Sequence, residues 1–302
     1  MYRLLEELER RESAGEHLKV GLIGCGQMGS GMVNLTHQMP GLRIAAIADL
    51  EVERGVRVFA GVGYRREDIV VTEKGSEAQD ALQAGRVVVT PSAVLLTEIE
   101  ALAALVEATG SPEVGARVAW ESILRGKHVV MLNVETDVTV GWLLKRMADR
   151  AQLVYTVSAG DEPGAVIELY RFARILGFQV VCIGKGKNNP VNFFATPDDC
   201  REEALRKNMN PKMLCAFVDG TKTMVEMAEV SNATGALPDI PGMHGERVDV
   251  PDLSRVYIPK KDGGIFERDF VVDYSTGKVA PGVFVVITTP SAHLRQDLKF
   301  YS

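Results

Sequence analysis

The chain has 302 residues, of which 46% are hydrophobic and 25% charged, as in globular proteins of one large or two ordinary domains. Its formal net charge of −6 argues against nucleic acid as a partner, because nucleic-acid binding needs a basic surface. This net charge does not exclude a small phosphorylated or otherwise anionic substrate. The four cysteines have no CxxC spacing, so metal-ligand spacing is absent and reduced thiols are the simplest interpretation.

The N-terminal segment, residues 1–17, is charged and has a helix-like pattern. It lacks the apolar core of a signal peptide, and no apolar run approaches the length of a membrane span. We therefore expect a soluble cytoplasmic protein that does not bind a membrane.

Strand and helix patterns alternate along the first half of the chain, which predicts a parallel sheet with right-handed crossovers. We therefore expect a doubly wound Rossmann domain over residues 1–155. Residues 61–100 are less regular, with short strands near Ile69–Thr72 and Arg86–Thr90. The predicted strands are Lys19–Ile23, Arg43–Ala48, Ala101–Val106, His128–Leu132 and Leu153–Val157, and the predicted helices are Gln27–Gln38, one from Glu51, Glu113–Arg125 and Val138–Ala151.

The pattern changes after residue 155, and residues 156–302 are expected to form a second, α+β domain. Asn210 is a plausible cap for a long helix that Gly235 and Pro238 would end. Residues 236–302 are rich in Pro, Gly and Asp, with one strong strand. The predicted elements are the helix Pro163–Leu176, the strand Phe178–Ile183, the loop Gly184–Pro190, the helix Pro211–Ala233 and the strand Val283–Thr288.

A glycine-rich turn follows the first predicted strand and opens a helix. Gly24, Gly26 and Gly29 have the GxGxxG spacing, with Gln27 and Met28 between the last two. The first glycine permits the tight turn, the second lets a pyrophosphate approach the backbone, and the third lets helix and strand pack closely. The free amides at the helix start receive the phosphates. The motif therefore predicts NAD(H) or NADP(H) binding; the alternative is a glycine turn without a ligand.

Asp49 ends the second predicted strand, twenty residues beyond Gly29. A carboxylate at this position accepts hydrogen bonds from the adenosine ribose hydroxyls and favours NAD over NADP, because it repels a 2′-phosphate. Arg54 and Arg57 are close enough to compensate for that repulsion, which leaves dual use open. The alternative is that both arginines lie on a solvated helix face.

Two further strand ends are candidates for contact with the nicotinamide. Thr109 and Gly110 follow the next main strand, and Asn133 follows the strand after it. In open α/β sheets, ligands bind outside the carboxyl ends of the strands. Ordinary strand-to-helix turn chemistry explains these residues equally well.

The loop after the strand Phe178–Ile183 carries two ammonium groups and two amides: Lys185, Lys187, Asn188 and Asn189. These groups suit an anionic, hydroxylated substrate, and a lysine here could also polarise a carbonyl during hydride transfer. The alternative is a solvated basic turn.

Asp161 and Glu162 are adjacent carboxylates at the start of a predicted helix. Oxygen ligands of this kind hold divalent cations, so the pair is a candidate for Mg²⁺ or Mn²⁺. The structural interpretation is that they cap the helix and interact with its dipole.

The long predicted helix carries a polar stripe opposite its apolar face, formed by Lys212, Asp219, Lys222 and Glu226. The last three could pass a proton or hold a substrate carbonyl, but the same spacing gives ordinary surface ion pairs. Sequence alone favours the solvated face. Gly220 is unusual within a helix and could mark a close approach of a ligand or of another backbone.

None of the five histidines pairs with a serine or cysteine in a recognisable nucleophile arrangement. His244 lies between two glycines, in the segment Pro241–Gly245. Such a loop is rigid, and we expect it to border the substrate site.

Four segments together resemble the homoserine-dehydrogenase-like group that includes enzymes similar in activity to 1-deoxy-D-xylulose 5-phosphate reductoisomerase (DXR). The resemblance covers nearly the whole chain and implies a Rossmann domain, a catalytic and dimerisation domain in a homodimer, and often a C-terminal SAF-like module. Because members usually continue beyond the position of Ser302, we expect that module to be missing. The segments are VGLIGCGQMGSGMVN, VEATGSPEVGA, KGKNNP, and FVDGTKTMVEMAEVSNATG with PGMHG after it.

The resemblance implies an NADPH-dependent reaction in which 1-deoxy-D-xylulose 5-phosphate is rearranged and reduced to 2-C-methyl-D-erythritol 4-phosphate, an isoprenoid precursor. Lys185 and Lys187 would bind phosphate or carbonyl groups. Asp219, Lys222 and Glu226 would line the pocket instead of facing solvent. Asp49 does not suit the implied preference for NADP.

Two alternatives belong to other functional classes. One is a dehydrogenase of the homoserine type, which reduces a small semialdehyde or sugar acid without rearrangement and needs neither a phosphate site nor a divalent metal. The other is a nucleotide-sensing or sugar-binding regulatory protein, which would bind the cofactor without turnover.

Overall fold

The chain folds into two compact units in a computed structural model that describes residues 2–188, 191–207 and 209–300. The first unit ends at Ser158 and the second begins at Ala159. No helix within the described ranges is long and apolar enough to cross a membrane.

In the described part of the first unit, seven parallel strands form one sheet in the order β3-β4-β2-β1-β5-β6-β7. The strands are β1 (Leu18–Ile23), β2 (Leu42–Ala48), β3 (Ile69–Val71), β4 (Val87–Thr90), β5 (Ala104–Glu107), β6 (His128–Met131) and β7 (Tyr155–Val157). The helices are α1 (Tyr2–Ser13), α2 (Gln27–Gln38), α3 (Val52–Gly61), α4 (Gly75–Gln83), α5 (Ala93–Glu98), α6 (Pro112–Leu124) and α7 (Val134–Arg150).

The strand order reverses direction at β1, which lies between β2 and β5. Such a reversal leaves a crevice at the carboxyl ends of the two central strands, where doubly wound folds bind their ligands. The central strands are short runs of buried apolar residues, as a parallel sheet covered on both faces requires. The predicted Rossmann fold of the first half is therefore confirmed.

The irregular segment 61–100 contains two helices, α4 and α5, that the sequence pattern did not predict. Both are short and carry buried side chains, such as Leu82 and Leu96. Their apolar residues therefore pack against the sheet, although too few turns are present to make a clear helical period.

The described part of the second unit has a mixed sheet in the order β11-β8-β10-β9, in which β8 pairs parallel with β10 and antiparallel with β11. Its strands are β8 (Gln179–Gly186), β9 (Leu237–Pro238), β10 (Val271–Ser275) and β11 (Val283–Thr288). Its helices are α8 (Glu162–Ile175), α9 (Arg201–Arg206), α10 (Pro211–Val218), α11 (Thr221–Thr234), α12 (Leu253–Val256) and α13 (Ala292–Phe300).

Two layers cover the faces of this sheet. Val166 of α8 and Met227 of α11 belong to the apolar cluster on one face, together with Ile183 of β8. Tyr257 and Phe266, from the segment between β9 and β10, are fully buried in the cluster on the other face. The sheet is thus buried on both sides despite its small size, as the expected α/β class requires.

Two sequence predictions for this unit are wrong, and a third is incomplete. The predicted loop Gly184–Pro190 begins inside β8, which continues to Gly186. The predicted helix Pro211–Ala233 is two helices, because Gly220 adopts a left-handed backbone conformation with φ of +88°. The predicted strand Val283–Thr288 is present, and the segment 236–302 also contains β9, α12, β10 and α13.

The replacement Gly220→Ala is expected to lower the free energy of unfolding by about 1–2 kcal/mol, because L residues adopt the left-handed conformation at that cost. The control is Gly31→Ala within α2, where an added Cβ meets no described atom within 4 Å. Alanine is the better helix former there, so the control should be neutral or stabilising. Urea unfolding measures both, and equal effects would contradict the role given to Gly220.

Candidate functional site

The glycine-rich turn of the first unit has the backbone geometry that a dinucleotide requires. Gly24 has φ of +88°, and a Cβ there would lie 2.8 Å from the carbonyl carbon of Ala108. A Cβ on Gly29 would lie 2.2 Å from the carbonyl oxygen of Gly24. A Cβ on Gly26, in contrast, would meet no described atom within 4 Å. Two glycines therefore serve packing, and the middle one leaves open space beside the backbone.

The start of α2 presents backbone amides without a side-chain cap. Gly26 is the N-cap residue and has no side chain to accept their hydrogen bonds. Gln27 and Met28 form the exposed first turn. Free amides at a helix N-terminus, aided by the helix dipole, favour an anionic group such as a pyrophosphate.

Asp49 connects the glycine-rich turn to the end of β2. Its Oδ2 accepts a hydrogen bond from the Cys25 amide at 2.7 Å, and its Oδ1 accepts one from the Glu51 amide at 2.8 Å. Arg54 and Arg57 both pair with the Glu51 carboxylate. Arg54 also lies 3.8 Å from Oδ2 of Asp49, whereas Oδ1 keeps a second lone pair for a ribose hydroxyl.

The strand ends β5 and β6 carry the other predicted cofactor residues. Thr109 and Gly110 form an exposed turn, in which Gly110 has φ of +70°. Asn133 is buried and caps α7: its oxygen accepts the Thr136 amide, and its nitrogen donates to the carbonyl of Ser111. Both polar atoms of its side chain thus bond the strand-to-helix turns, which is the alternative interpretation given for this residue.

The second unit places two lysines on the same side of β8 and its extension. Gly184 and Gly186 alternate with Lys185 and Lys187, because successive side chains of a strand point to opposite faces. The glycines face close neighbours: a Cβ on Gly184 would lie 2.3 Å from Cζ of Phe284, and one on Gly186 would lie 2.2 Å from the amide nitrogen of Ala280. The Gly-Lys-Gly-Lys sequence is thus a strand with one packed face and one cationic face.

Lys185 is the centre of a buried ion-pair network. Its side chain pairs with Glu162 at the start of α8, at 2.8 Å, and with Glu226 of α11. Burial by itself lowers the pKa of Lys185, but the two glutamates outweigh it, so the pKa is raised. Lys185 is therefore charged at neutral pH.

Three carboxyl groups converge on this network. One oxygen from each of Asp161, Glu162 and Glu226 lies within 4.8 Å of the other two. Burial raises the pKa of Asp161 and of Glu226, and the charges of Lys222 and Lys185 offset part of that shift. Asp161 is also the N-cap of α8 and accepts the Glu162 amide, so the predicted structural role is present alongside the cluster.

Lys187 has a different environment from Lys185. Only 6% of its surface is exposed, and its ammonium group donates to the backbone carbonyl of Phe217. Burial and the neighbouring charge of Lys185 lower its pKa, and Asp219 counteracts part of this effect. An ammonium has three donor hydrogens, so this geometry leaves hydrogens for a ligand.

A cavity of about 310 Å³ lies over these lysines. Its apolar wall includes Leu214 and Phe217, whose spacing in α10 is that of one helix face. The charged side chains among its described lining residues are those of Glu162, Lys185, Lys187, Lys207 and Lys222. The cavity therefore has an excess of positive charge.

The structure brings together most of the substrate residues named from the sequence. Asn188 lines the cavity, while Asn189 lies outside the described residues. Asp219 follows the last residue of α10, and its carboxylate accepts the Thr221 amide at the start of α11. The prediction of a solvated stripe is wrong for Glu226, which is buried because α11 packs this face against α8 and β8.

His244 does not border this cavity, contrary to the sequence prediction. Its ring pairs with Asp239 at 2.9 Å, and its backbone amide donates to the buried carboxyl group of Asp273. Asp273 also accepts the amide of Gly245, so this carboxyl group fixes the loop. The loop is thus held by hydrogen bonds to a side chain of β10.

Lys207 and Phe217 are among the cavity residues that were not identified from the sequence. Lys207 follows the short helix α9, whose six residues show no clear period. Phe217 was assigned to an apolar helix face, and its carbonyl, which is the acceptor for Lys187, becomes available because α10 ends at Val218. The glycine at position 220 was the available indication of that helix end.

The second unit matches the family model of the catalytic domain of the oxidoreductase DRL over residues 160–302, just under half of the chain. No curated protein is significantly similar in sequence. The match supports the resemblance at the level of an oxidoreductase catalytic domain, and a DXR-like activity does not follow from it.

Several solved structures are similar to parts of this chain. An NAD-binding oxidoreductase from Klebsiella pneumoniae is 16% identical over 58% of this chain and 43% of its own, with a TM-score of 0.41. The WlbA dehydrogenase from Bordetella pertussis, solved with NADH and UDP-GlcNAcA, is 17% identical over 62% of this chain and 50% of its own (TM-score 0.41). A probable dehydrogenase from Thermotoga maritima is 12% identical over 90% of this chain and 76% of its own (TM-score 0.49).

The aligned part spans half or less of the first two of these structures. All three TM-scores are below 0.5, so these structures do not assign a function to this chain.

The replacement Glu226→Ala is expected to lower the free energy of unfolding by about 3 kcal/mol, because it leaves the buried Lys185 ammonium with one partner instead of two. Combining Lys185→Met with Glu226→Leu should restore much of the loss, since no buried charge then remains unpaired. Urea unfolding of the single and combined variants measures the coupling.

The control is Glu203→Ala, which removes the exposed ion pair with Lys207 and should cost less than about 1 kcal/mol. If Glu226→Ala were no more destabilising than this control, the network around Lys185 would not have the importance given to it here.

Proposed function

We propose that this protein, an NAD(P)-dependent oxidoreductase, reduces the carbonyl group of a small anionic compound, such as a semialdehyde or a sugar acid, without rearranging its carbon skeleton. The support comes from two features, one in each unit. The first unit has the glycine-rich turn and Asp49, and the second resembles an oxidoreductase catalytic domain and contains a cationic cavity.

The observation that carries the proposal is the charge of the cavity. Its described lining residues include four lysines and one glutamate, although the whole chain has a net charge of −6. A pocket of sign opposite to that of the protein concentrates anionic ligands. A carboxylate or phosphate group of the substrate would bind Lys222 and would compete with Glu203 for Lys207.

The reaction needs a hydride for the carbonyl carbon and a proton for the carbonyl oxygen. A bound reduced nicotinamide supplies the hydride, and the products are the alcohol and the oxidised cofactor. Lys187 is placed to supply the proton, because it is buried beside the cavity and its lowered pKa eases proton release. Lys185 remains charged and stabilises the developing negative charge on that oxygen.

Asp49 makes NADH the favoured cofactor. Its carboxylate is fixed by the amides of Cys25 and Glu51, so it cannot turn away from a 2′-phosphate without losing both hydrogen bonds. Both nearby arginines pair with Glu51, and Arg54 also lies within ion-pair distance of Asp49, so each guanidinium group already has a carboxylate partner. The resemblance to the NADPH-dependent group thus conflicts with the geometry of this turn.

A DXR-like reductoisomerase is the second candidate, and the convergence of three carboxyl groups favours it. Asp161, Glu162 and Glu226 provide the oxygen ligands that Mg²⁺ or Mn²⁺ prefers, so the donor set fits a divalent ion. Held by these carboxylates, such an ion would supply Lewis-acid chemistry for the rearrangement. The same glutamates hold Lys185, so ion binding would weaken that pairing.

The test is oxidation of NADH and of NADPH with aspartate semialdehyde, with sugar-acid aldehydes and with 1-deoxy-D-xylulose 5-phosphate, each with Mn²⁺ or with EDTA. We expect turnover of an anionic aldehyde in EDTA, with NADH preferred. Turnover of the pentulose phosphate that requires Mn²⁺ would establish the second candidate instead. Dinucleotide binding without turnover of any anionic carbonyl compound would contradict both and favour a nucleotide-sensing protein.

The replacement Lys187→Ala is expected to lower kcat at least about 100-fold, the contribution of a general acid, with a smaller change in KM. In the wild type, reduction should slow as the pH rises through the lowered pKa of Lys187, because the ammonium donor is lost above it. The variant should lack this step in its pH profile.

The control is Lys212→Ala, an exposed lysine at the start of α10, which should leave the rate unchanged. A Lys187→Ala variant that kept both the wild-type kcat and its pH profile would exclude Lys187 as the proton donor.

A further inference from the structure

Glu107 is a fully buried carboxyl group at the carboxyl end of β5, beside the glycine-rich turn. Its exposed surface is 0%, and it lies opposite Ile23, the last residue of β1, in the sheet register. A glutamate in this position is costly unless it is neutral or fully hydrogen-bonded. Its presence calls for an explanation, since neither the fold nor the proposed chemistry uses it.

The two oxygens of Glu107 have different environments. Oε1 accepts the backbone amide of Thr109 at 3.0 Å. Oε2 is buried and forms no hydrogen bond with any group in the described ranges. A carboxylate would leave a negative charge on this oxygen without a donor, and burying a charge costs more than burying the hydroxyl group of a neutral carboxylic acid.

Gly115 of α6 shows how tightly the second oxygen is enclosed. A Cβ on Gly115 would lie 3.0 Å from Oε2 of Glu107, 2.9 Å from Nδ2 of Asn133 and 2.2 Å from Oγ1 of Thr136. Polar atoms of three side chains therefore lie so close to the Cβ position of Gly115 that a methyl group would not fit there. Burial raises the pKa of Glu107, the donors of Thr109 and Asn133 near the carboxyl group offset part of the shift, and the charge of Glu135 adds to the rise.

The segment that Glu107 holds is in direct contact with the glycine-rich turn. The Ala108 amide donates to the carbonyl of Ile23 at 2.8 Å, and the Cβ position of Gly24 lies 2.9 Å from Cα of Thr109. At its other end, the Ser111 carbonyl accepts a hydrogen bond from the side-chain Nδ2 of Asn133. The turn 108–111 is thus fixed at both ends and forms one wall beside the Gly24 turn.

We propose that Glu107 is a positioning residue for dinucleotide binding, and that it acts as an uncharged carboxylic acid which fixes the turn 108–111 against the glycine-rich turn. A neutral acid supplies the acceptor for the Thr109 amide without adding a second buried negative charge near the amides that receive phosphates. The inference rests on the proposed function in one respect, which is that the first unit binds a dinucleotide.

The test is the Kd of NADH for the full chain, measured by fluorescence across a range of pH. In the wild type, affinity should fall as the pH rises through the raised pKa of Glu107, because ionisation puts charge on Oε2 and disturbs the turn. Glu107→Gln, an uncharged mimic of the acid, should bind as the wild type does at low pH and should not show this fall. Glu100→Gln, an exposed control in the same unit, should keep the wild-type profile.

Two further variants test the positioning. Glu107→Leu removes the acceptor of the Thr109 amide and should weaken NADH binding about tenfold, equivalent to about 1.4 kcal/mol. Gly115→Ala leaves Glu107 in place but forces the polar cluster apart, and it should weaken binding in the same direction. If Glu107→Leu does not fold, the pH profiles of NADH binding by the wild type and by Glu107→Gln still test the inference.

The outcomes separate this inference from the proposed function. A wild type that binds NADH, with the same pH profile in Glu107→Gln, would overturn the role of Glu107 and leave the oxidoreductase proposal intact. A wild type that does not bind NADH or NADPH would overturn both. Glu107→Gln binding that is weak at every pH would also overturn the inference, because the uncharged form would then not be the competent one.

Discussion

The second unit depends on one buried charge, the ammonium group of Lys185. Through Glu162 and Glu226 it joins the start of α8 and the middle of α11 to the end of β8. An ion pair removed from water stabilises a fold only when its geometry satisfies both charges. The same helices pack on the sheet through an apolar cluster, and their carboxyl groups meet Lys185 beside the cavity. Fold and site therefore share one constraint.

The first unit uses carboxyl groups for a related purpose. Asp49 accepts the amides of Cys25 and Glu51, and Glu107 accepts the amide of Thr109, so the loops after three neighbouring strands are held by side chains of strand ends. Loops at the carboxyl edge of a parallel sheet have few backbone partners of their own. Side-chain acceptors supply those partners and leave the free amides of α2 for a ligand.

The sequence was sufficient for the parts of the fold that follow from local patterns. The helix Gln27–Gln38 and the strand Val283–Thr288 have the predicted bounds, because glycine and proline punctuate apolar runs at their ends. The burial of Glu226 could not be predicted in this way. A polar stripe at helical spacing looks the same whether it meets water or a lysine from another element, and that depends on long-range packing.

The error in the loop Gly184–Pro190 has a similar cause. Glycine next to lysine is typical of turns, so the local composition favoured a loop. The alternation of small and charged residues, which indicates a strand, was given less weight. The neighbours that need those glycines, Phe284 and Ala280, come a hundred residues later in the chain. The roles of the site residues remain predictions, since they depend on ligands and not on the fold alone.

The alternation of glycine and lysine at the end of β8 also limits how this segment can evolve. Because side chains repeat every two residues, insertion or deletion of a single residue within the strand would exchange the two faces. Both ammonium groups would then meet Phe284 and Ala280, and the cavity would be lined by glycine. Only insertions or deletions of an even number of residues keep each side chain on its own face of the strand. We therefore expect related proteins to keep an even or odd spacing between the core of the strand and Lys185, even where the residues themselves differ.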